Sequence, residues 1–148
     1  MIQLPQDFRE LFQLLNSKKI EYLVIGGYAV ALYGYPRATG DIDIWIATSE
    51  INAKKIVEAL IEFGFNLPEL KEELFLMRDK NIRMGNPPLR IEFLTSIDGV
   101  EFAECYKNKK KVFIDNVEID FISLEDLKKN KKASARYQDL ADLENLDK

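Results

Sequence analysis

The sequence predicts an α/β (α+β) fold, in which helices flank a mixed β-sheet. Segments with the 3.6-residue period of a helix alternate with short apolar runs bounded by turn residues, as expected of strands. The chain has 148 residues, 47% of them hydrophobic, which suits one compact domain with a substantial core. No repeat, low-complexity tract or linker interrupts the pattern. We therefore expect residues 1–148 to form a single domain that includes C-terminal helices from about residue 123.

The first part of the chain is predicted to alternate helices with strands. Apolar residues recur at helical spacing in DFRELFQLLNSKK, with Asp7 as the expected N-cap. The run EYLVIGG, ended by two glycines, indicates a buried strand, and YAVALYG a short helix after it. DIDIWIA alternates in polarity and predicts a second strand. Ser49 is then expected to cap a helix that ends near Phe63, with Gly64 as its stop.

The middle of the chain is predicted to hold shorter elements. NLPELKEEL is irregular or a short helix, and LFLMRDKNIRMG indicates a pair of strands with a turn at Asp79–Asn81. After the loop NPP, the segment LRIEFLT predicts a third clear strand, and VEFAECYKN a short helix.

The last part is predicted to begin with a β-hairpin, KKVFIDNVEIDFIS, whose two-residue turn is Asp115-Asn116. Ser123 and Asp126 form a capping-box pattern at the start of the next helix. A final helix is expected over roughly Tyr137 to Leu146.

Composition removes several kinds of chemistry. The chain has no histidine, which excludes Ser-His-Asp and Cys-His catalysis and histidine metal sites. Its one cysteine, Cys105, cannot form an intrachain disulfide and is expected to be a small buried hydrophobe. Catalysis would therefore rest on carboxylates, lysines, arginines and hydroxyls.

The charge pattern leaves two interpretations of one segment open. The net charge of −4 is not that of a basic nucleic-acid binder. Between Lys107 and Lys132, however, eight lysines face five acidic residues, which would suit a phosphate-rich partner or a simple solvated surface. The N-terminus lacks the pattern of a signal peptide, and no apolar run is long enough to cross a bilayer. We expect a cytoplasmic protein that does not engage a membrane.

Two aspartates stand in an otherwise apolar strand. Residues i and i+2 point to one face, so Asp41 and Asp43 project together while the intervening isoleucines face the core. Two carboxylates so close repel each other, and a hard cation such as Mg²⁺ relieves that repulsion. The pair therefore predicts a half-site for one or two Mg²⁺ ions, the alternative being an acidic edge that faces solvent.

Other residues complete this predicted site. Glu92, at the centre of LRIEFLT, would face Asp41 and Asp43 if the two strands are neighbours, and would otherwise pair with Arg90. Upstream, Gly26 and Gly27 let the backbone approach a ligand before a helix N-terminus, where phosphate binds. The remaining donors to a triphosphate would be Arg37 and Thr39, just before the second strand.

These residues resemble a known superfamily. IGGYAVALYGYPRATGDIDIWI is similar to the Gly-Gly, Arg-x-Thr-x-Asp-x-Asp signature of the DNA polymerase β-type nucleotidyltransferases, in particular their small AbiEii-like branch. The resemblance runs from Tyr22 to near the C-terminus and implies the nucleotidyltransferase fold. It also places four residues of the last segment at family positions: Lys131, Arg136, Asp139 and Asp142.

The sequence departs from the family pattern at two places. The third carboxylate is usually aspartate, and here it is Glu92, whose arm is longer by a methylene. The C-terminal segment usually has Gly-Arg before proline, and here it is Ala135-Arg136-Tyr137.

The resemblance implies transfer of a nucleoside monophosphate from an NTP to an acceptor hydroxyl on RNA, protein or a small molecule. Asp41, Asp43 and Glu92 would be the catalytic and metal-binding carboxylates. Lys131 and Arg136 would meet the triphosphate or an RNA acceptor, unless they belong to a surface helix and pair with Asp139. The branch also suggests a toxin–antitoxin or phage-defence system with a cognate partner protein. The alternative is a catalytically weak nucleotide binder that serves as an antitoxin or partner module.

Overall fold

Six strands form one mixed sheet in the computed structural model, which describes residues 4–34, 41–86 and 90–147. The strands are β1 (Tyr22–Ile25), β2 (Asp41–Ile46), β3 (Asn81–Met84), β4 (Arg90–Leu94), β5 (Lys110–Ile114) and β6 (Val117–Phe121), in the spatial order β3-β4-β2-β1-β6-β5. The β2–β4 and β1–β6 pairs are parallel, whereas β1–β2, β3–β4 and β5–β6 are antiparallel. The sheet is therefore mixed, as predicted.

Within the described residues, six α-helices flank the sheet. They are α1 (Gln6–Ser17), α2 (Gly26–Leu32), α3 (Glu50–Phe63), α4 (Phe102–Lys107), α5 (Leu124–Ser134) and α6 (Tyr137–Leu146), with a 3₁₀ turn at Glu72–Phe75. Across the described residues, no helix is both long enough and apolar enough to pass through a lipid bilayer.

The two faces of the sheet have different surroundings because the strand side chains alternate. The isoleucines of β2 are fully buried, and the register sets Tyr22 and Val24 of β1 beside them on one face. Phe12 of α1 packs against Tyr22 there, with ring centroids 5.5 Å apart. On the opposite face Trp45 packs edge-on against Phe102 of α4, and Asp43 lies on the same face two residues earlier. The core thus covers this face around Trp45, while the part of the face around Asp43 is available for the functional site.

Several predicted boundaries are confirmed. Ser49 caps α3 by accepting the Asn52 backbone N–H at 3.1 Å, and Gly64 ends the helix with φ +119°. The hairpin turn is Asp115-Asn116, both with positive φ, as a type I′ turn requires. Ser123 caps α5 through the Asp126 backbone N–H.

Three predictions of elements need correction. Asp7 is not the N-cap of α1, because the helix begins at Gln6 after Pro5 and Asp7 lies in its first turn. The short helix after β1 begins at Gly26 rather than after the glycines. LFLMRDKNIRMG contains one strand, not two. The first residues of this segment form the end of the 3₁₀ turn. There the buried ring of Phe75 packs against the ring of Phe93, with centroids 5.7 Å apart, so this side chain reaches the core without being part of a strand.

The connection between α5 and α6 contains a strained residue. Ala135 has φ +51° and ψ +27°, the left-handed conformation that helix ends commonly assign to glycine. The family's usual glycine at this position would adopt the same turn without strain.

We predict that Ala135→Gly raises the free energy of unfolding by about 0.5–1 kcal/mol, because it removes the left-handed penalty of a β-carbon. Urea denaturation measures the change. Ala141→Gly is the matched control, because it lies on an exposed helical position of α6 and should lower stability by about 0.5–1 kcal/mol. A loss of stability in both variants would contradict the strain at Ala135.

Candidate active site

The parallel pairing of β2 with β4 sets two acidic residues side by side. The register pairs Asp43 with Glu92 and Asp41 with Arg90. The two strands are therefore neighbours, which is the condition under which Glu92 is expected to face Asp41 and Asp43. Its alternative partner, Arg90, pairs instead with Asp41, with Nη1 and Oδ2 3.7 Å apart.

Asp43 and Glu92 form a like-charged pair in a poorly solvated place. Burial, then the charge and hydrogen bond of Glu92, then the charge of Asp41 raise the pKa of Asp43 to about 7, while Lys131 acts in the opposite direction. Near neutral pH Asp43 is therefore about half protonated in the absence of another cation. Asp43 is the centre of the site because its protonation responds to groups from three different elements.

Gly26 makes room for this carboxylate. Its φ is +68°, and a Cβ at this position would collide with the Oδ2 atom of Asp43. Any other residue would therefore displace Asp43 or the first turn of α2. Gly27 is buried within α2 and is not among the residues that line the cavity described below.

A cavity of about 620 Å³ opens over the carboxylate pair. It is lined by Ile25, Gly26, Asp43, Asp79, Asn81, Arg83, Glu92, Leu94, Ser96, Ile97, Asp98, Asn130, Lys131, Ser134, Arg136, Gln138 and Asp139. Five predicted site residues are thus brought together from β1–α2, β2, β4 and the α5–α6 segment. Asp41 is not among the lining residues, and Arg37 and Thr39 lie outside the described residues.

Lys131 is held by two buried aspartates. Its Nζ atom lies 3.1 Å from Asp139 Oδ1 and 3.1 Å from Asp142 Oδ2, and its side chain is only 6% exposed. Both aspartate side chains are 1% exposed. Lys131 is therefore not a surface lysine, although the predicted pairing with Asp139 exists. The three charges fix α5 against α6 at the cavity wall.

Arg136 occupies the rim of the cavity. Its Nε atom lies 2.7 Å from Asp139 Oδ2, and its side chain is 78% exposed. Burial alone would raise the pKa of Asp139, but hydrogen bonds from Arg136, Ser134 and Lys131 hold that pKa well below its usual range. Asp139 thus stays ionised and organises two cations beside Asp43.

Several residues of the opposite wall carry no motif that marks them in the sequence. Arg83 of β3 lies directly across from Glu92, with Nε 3.4 Å from Oε1. Ser96 donates to Asp79 at 2.6 Å just beyond the paired strands. The alternation of polar and apolar residues in β3 assigns Arg83 to the polar face of that strand. That Arg83 lies beside Glu92 follows only from the β3–β4 register.

The carboxylates have the chemistry of a hard-cation site. Oxygen ligands without histidine or cysteine suit Mg²⁺. The pKa of Asp43 is raised first by burial and then by the neighbouring Glu92 and Asp41, and a bound cation would favour its ionised form. Asp43 and Glu92 fit this role. Within residues 4–34, 41–86 and 90–147, however, no three acidic or cysteine side chains are grouped closely enough to hold a metal ion. The predicted three-carboxylate set is therefore not assembled, and Asp41 and Glu92 each pair with an arginine.

Half of the lysines in the lysine-rich segment lie close to carboxylates. Four of its eight lysines pair with carboxylates: Lys111 with Glu118, Lys128 with Asp147, Lys129 with Asp126, and Lys131 with Asp139 and Asp142.

Comparison with known proteins points to one family. The sequence profile of the family described as "Nucleotidyltransferase of unknown function (DUF6036)" matches residues 1–147. A search of curated proteins gave no match.

Solved structures share the fold. A provisionally named nucleotidyltransferase from Thermotoga maritima is 21% identical, with 95% of this chain and 86% of that chain covered and a TM-score of 0.58. An antigenic nucleotidyltransferase-like protein from Paracoccidioides brasiliensis is 18% identical, with 98% of this chain and 78% of that chain covered and the same TM-score of 0.58. The lincosamide antibiotic adenylyltransferase LnuA, with lincomycin bound, is 19% identical, with 98% of this chain and 97% of that chain covered and a TM-score of 0.52. The predicted nucleotidyltransferase fold is confirmed, whereas the AbiEii-like branch stays a prediction.

We predict that Lys131→Met lowers the free energy of unfolding by about 3–5 kcal/mol, because it leaves two buried aspartates without their cation. Urea denaturation at pH 7 measures this. Lys132→Met removes the same charge from an exposed position of the same helix and should change stability by less than about 0.5 kcal/mol. Equal losses in both variants would show that Lys131 has no special role.

We predict that Asp43→Asn stabilises the metal-free protein by about 1–3 kcal/mol more at pH 8.5 than at pH 5. The pKa of Asp43 is raised from its ordinary 3.8 in the unfolded chain to about 7 in the folded protein. Its contribution to stability is therefore fully present only below about pH 4 and is lost progressively as pH rises from there through about 7. Urea unfolding in EDTA at the two pH values gives the comparison. Asp98→Asn, at an exposed position of the cavity wall, is the control. An equal gain at both pH values would contradict the prediction.

Proposed function

Since this chain belongs to the family of nucleotidyltransferases of unknown function (DUF6036), we propose that it moves a nucleoside monophosphate from an NTP to an acceptor hydroxyl in a Mg²⁺-dependent reaction. The single observation that carries the proposal is the Asp43–Glu92 pair, which lies in a cavity with cations on its walls. A cavity of about 620 Å³ is in the range of small-molecule sites.

The nucleotide would lie between the Gly26 side of the cavity and the α5–α6 wall. Gly26 lets the backbone approach the phosphates, while Arg136 extends its guanidinium from the rim, with a side chain that is 78% exposed. Lys131 is committed to Asp139 and Asp142, so it contributes a fixed positive charge near Asp43 rather than a mobile arm. Arg37 and Thr39 remain proposed phosphate donors.

In the transfer step the acceptor oxygen forms a bond to the α-phosphorus, and the bond from that phosphorus to the bridging oxygen breaks, so that pyrophosphate leaves. The acceptor proton passes to the Asp43–Glu92 carboxylate pair. Mg²⁺ held by these carboxylates would neutralise charge on the phosphate oxygens. Asp41 would join them as a ligand only by leaving Arg90.

The acceptor is proposed only as a hydroxyl compound: RNA, protein or a small molecule. Four of the eight lysines in the lysine-rich segment already pair with carboxylates. A role in a toxin–antitoxin or phage-defence system, with a cognate protein partner, stays a prediction from the resemblance.

A nucleotide-binding protein without transfer activity is the second candidate. The observation that favours it is the absence of an assembled three-carboxylate group among the described residues, together with the arginine partners of Asp41 and Glu92.

One assay separates the two candidates. The protein is incubated with Mg²⁺, each α-labelled NTP, and either tRNA or a candidate partner protein. We expect labelled product from the wild type and a loss of at least about 100-fold in Asp43→Ala, since the main carboxylate is gone. Asp147→Asn, at an exposed position of the last turn, is the control.

Binding of Mg-NTP by calorimetry without transfer to any acceptor would support the second candidate. Failure to bind both the metal and the nucleotide would exclude both.

A further inference from the structure

We propose that Arg83 is the resident counter-ion of Glu92 and competes with a divalent cation for this carboxylate. The inference rests on the proposed metal site but concerns a residue outside the sequence pattern. It makes Arg83 a positioning residue that sets how tightly the free site holds a cation.

The strand register places Arg83 at Glu92. In the antiparallel β3–β4 pair these two residues are direct partners, and their side chains share the face that carries Asp43. The Nε atom of Arg83 lies 3.4 Å from Glu92 Oε1. Both residues line the same cavity.

The two ends of this pair differ in their surroundings. The Glu92 side chain is 13% exposed, whereas the Arg83 side chain is 64% exposed. A nearly buried carboxylate gains from a neighbouring cation, while an exposed arginine can move away at little cost in solvation. The pair therefore forms without a metal and can be released when another cation takes Glu92.

Glu92 cannot satisfy both cations fully. Its carboxylate already interacts with Asp43 on one side and with Arg83 on the other. A divalent cation bound to Asp43 and Glu92 would come close to the Arg83 guanidinium and be repelled by it. Arg83 would thus weaken the binding of a free metal ion, and the additional oxygen ligands of a nucleotide triphosphate would favour entry of the metal and the nucleotide together.

The longer arm of glutamate is consistent with this arrangement. Glu92 stands where the resemblance would place an aspartate, and its additional methylene extends the carboxylate toward the cross-strand arginine.

The test measures binding of Mn²⁺ alone to the full chain by electron paramagnetic resonance, without nucleotide. We expect Arg83→Gln to bind Mn²⁺ about three- to tenfold more tightly than the wild type, because the competing cation is gone. Arg83→Lys should stay within about twofold of the wild type, since a lysine can still pair with Glu92. Arg78→Gln is the matched control, because Arg78 is exposed and does not line the cavity.

A double-mutant cycle identifies Glu92 as the mediator. In a Glu92→Gln background, Arg83→Gln should change the affinity for Mn²⁺ by less than about twofold. Unchanged or weaker binding by Arg83→Gln, equal tightening by Arg78→Gln, or tightening that persists in the Glu92→Gln background would overturn the inference. Absence of Mn²⁺ binding in both the wild type and Arg83→Gln would also overturn it.

The result is separable from the proposed activity. Mn²⁺ binding with the expected coupling but no nucleotidyl transfer would leave Arg83 as the counter-ion and refute the enzyme. Nucleotidyl transfer in a protein without that coupling would support the enzyme and refute the role of Arg83 as counter-ion.

Discussion

The parallel pairing of β2 with β4 is the constraint on which the site depends. It places Asp43 beside Glu92 on the face of the sheet that the core leaves open. Burial and the neighbouring carboxylate disfavour the ionised form of Asp43, so the surrounding groups must stabilise the pair. Gly26 yields space, Lys131 supplies positive charge and Arg83 pairs with Glu92. The carboxylates Asp43 and Glu92 thus suit a divalent cation, while Lys131 and Arg136 on the wall of the same cavity suit phosphates.

The C-terminal helices belong to this electrostatic arrangement rather than to the core alone. A lysine with 6% exposure would be costly without partners, and Asp139 and Asp142 together meet that cost. Asp139 also accepts hydrogen bonds from the Arg136 and Ser134 side chains, so these bonds hold the turn between α5 and α6 at the cavity rim. The same turn contains a left-handed Ala135, so its geometry is maintained by these charged contacts despite local strain.

Much of the fold could be predicted because local signals agreed with it. Caps at Ser49 and Ser123, the stop at Gly64 and the Asp115-Asn116 turn all act within a few residues along the chain. The error at LFLMRDKNIRMG arose where an apolar run had no distinctive period. Phe75 meets Phe93 from a 3₁₀ turn, a contact between residues far apart in sequence that local pattern does not reveal.

The sequence by itself determined the alternation of Asp41 and Asp43 with core isoleucines, the absence of histidine chemistry, and a family resemblance that the profile match confirms at the level of the superfamily. Only the tertiary structure decided that Asp43 pairs with Glu92 while Asp41 meets Arg90, that Lys131 is buried, and that Arg83 reaches the site. The physical reason is register. Period-two alternation assigns a side chain to a face, but its neighbours on that face depend on which strands pair and at what offset.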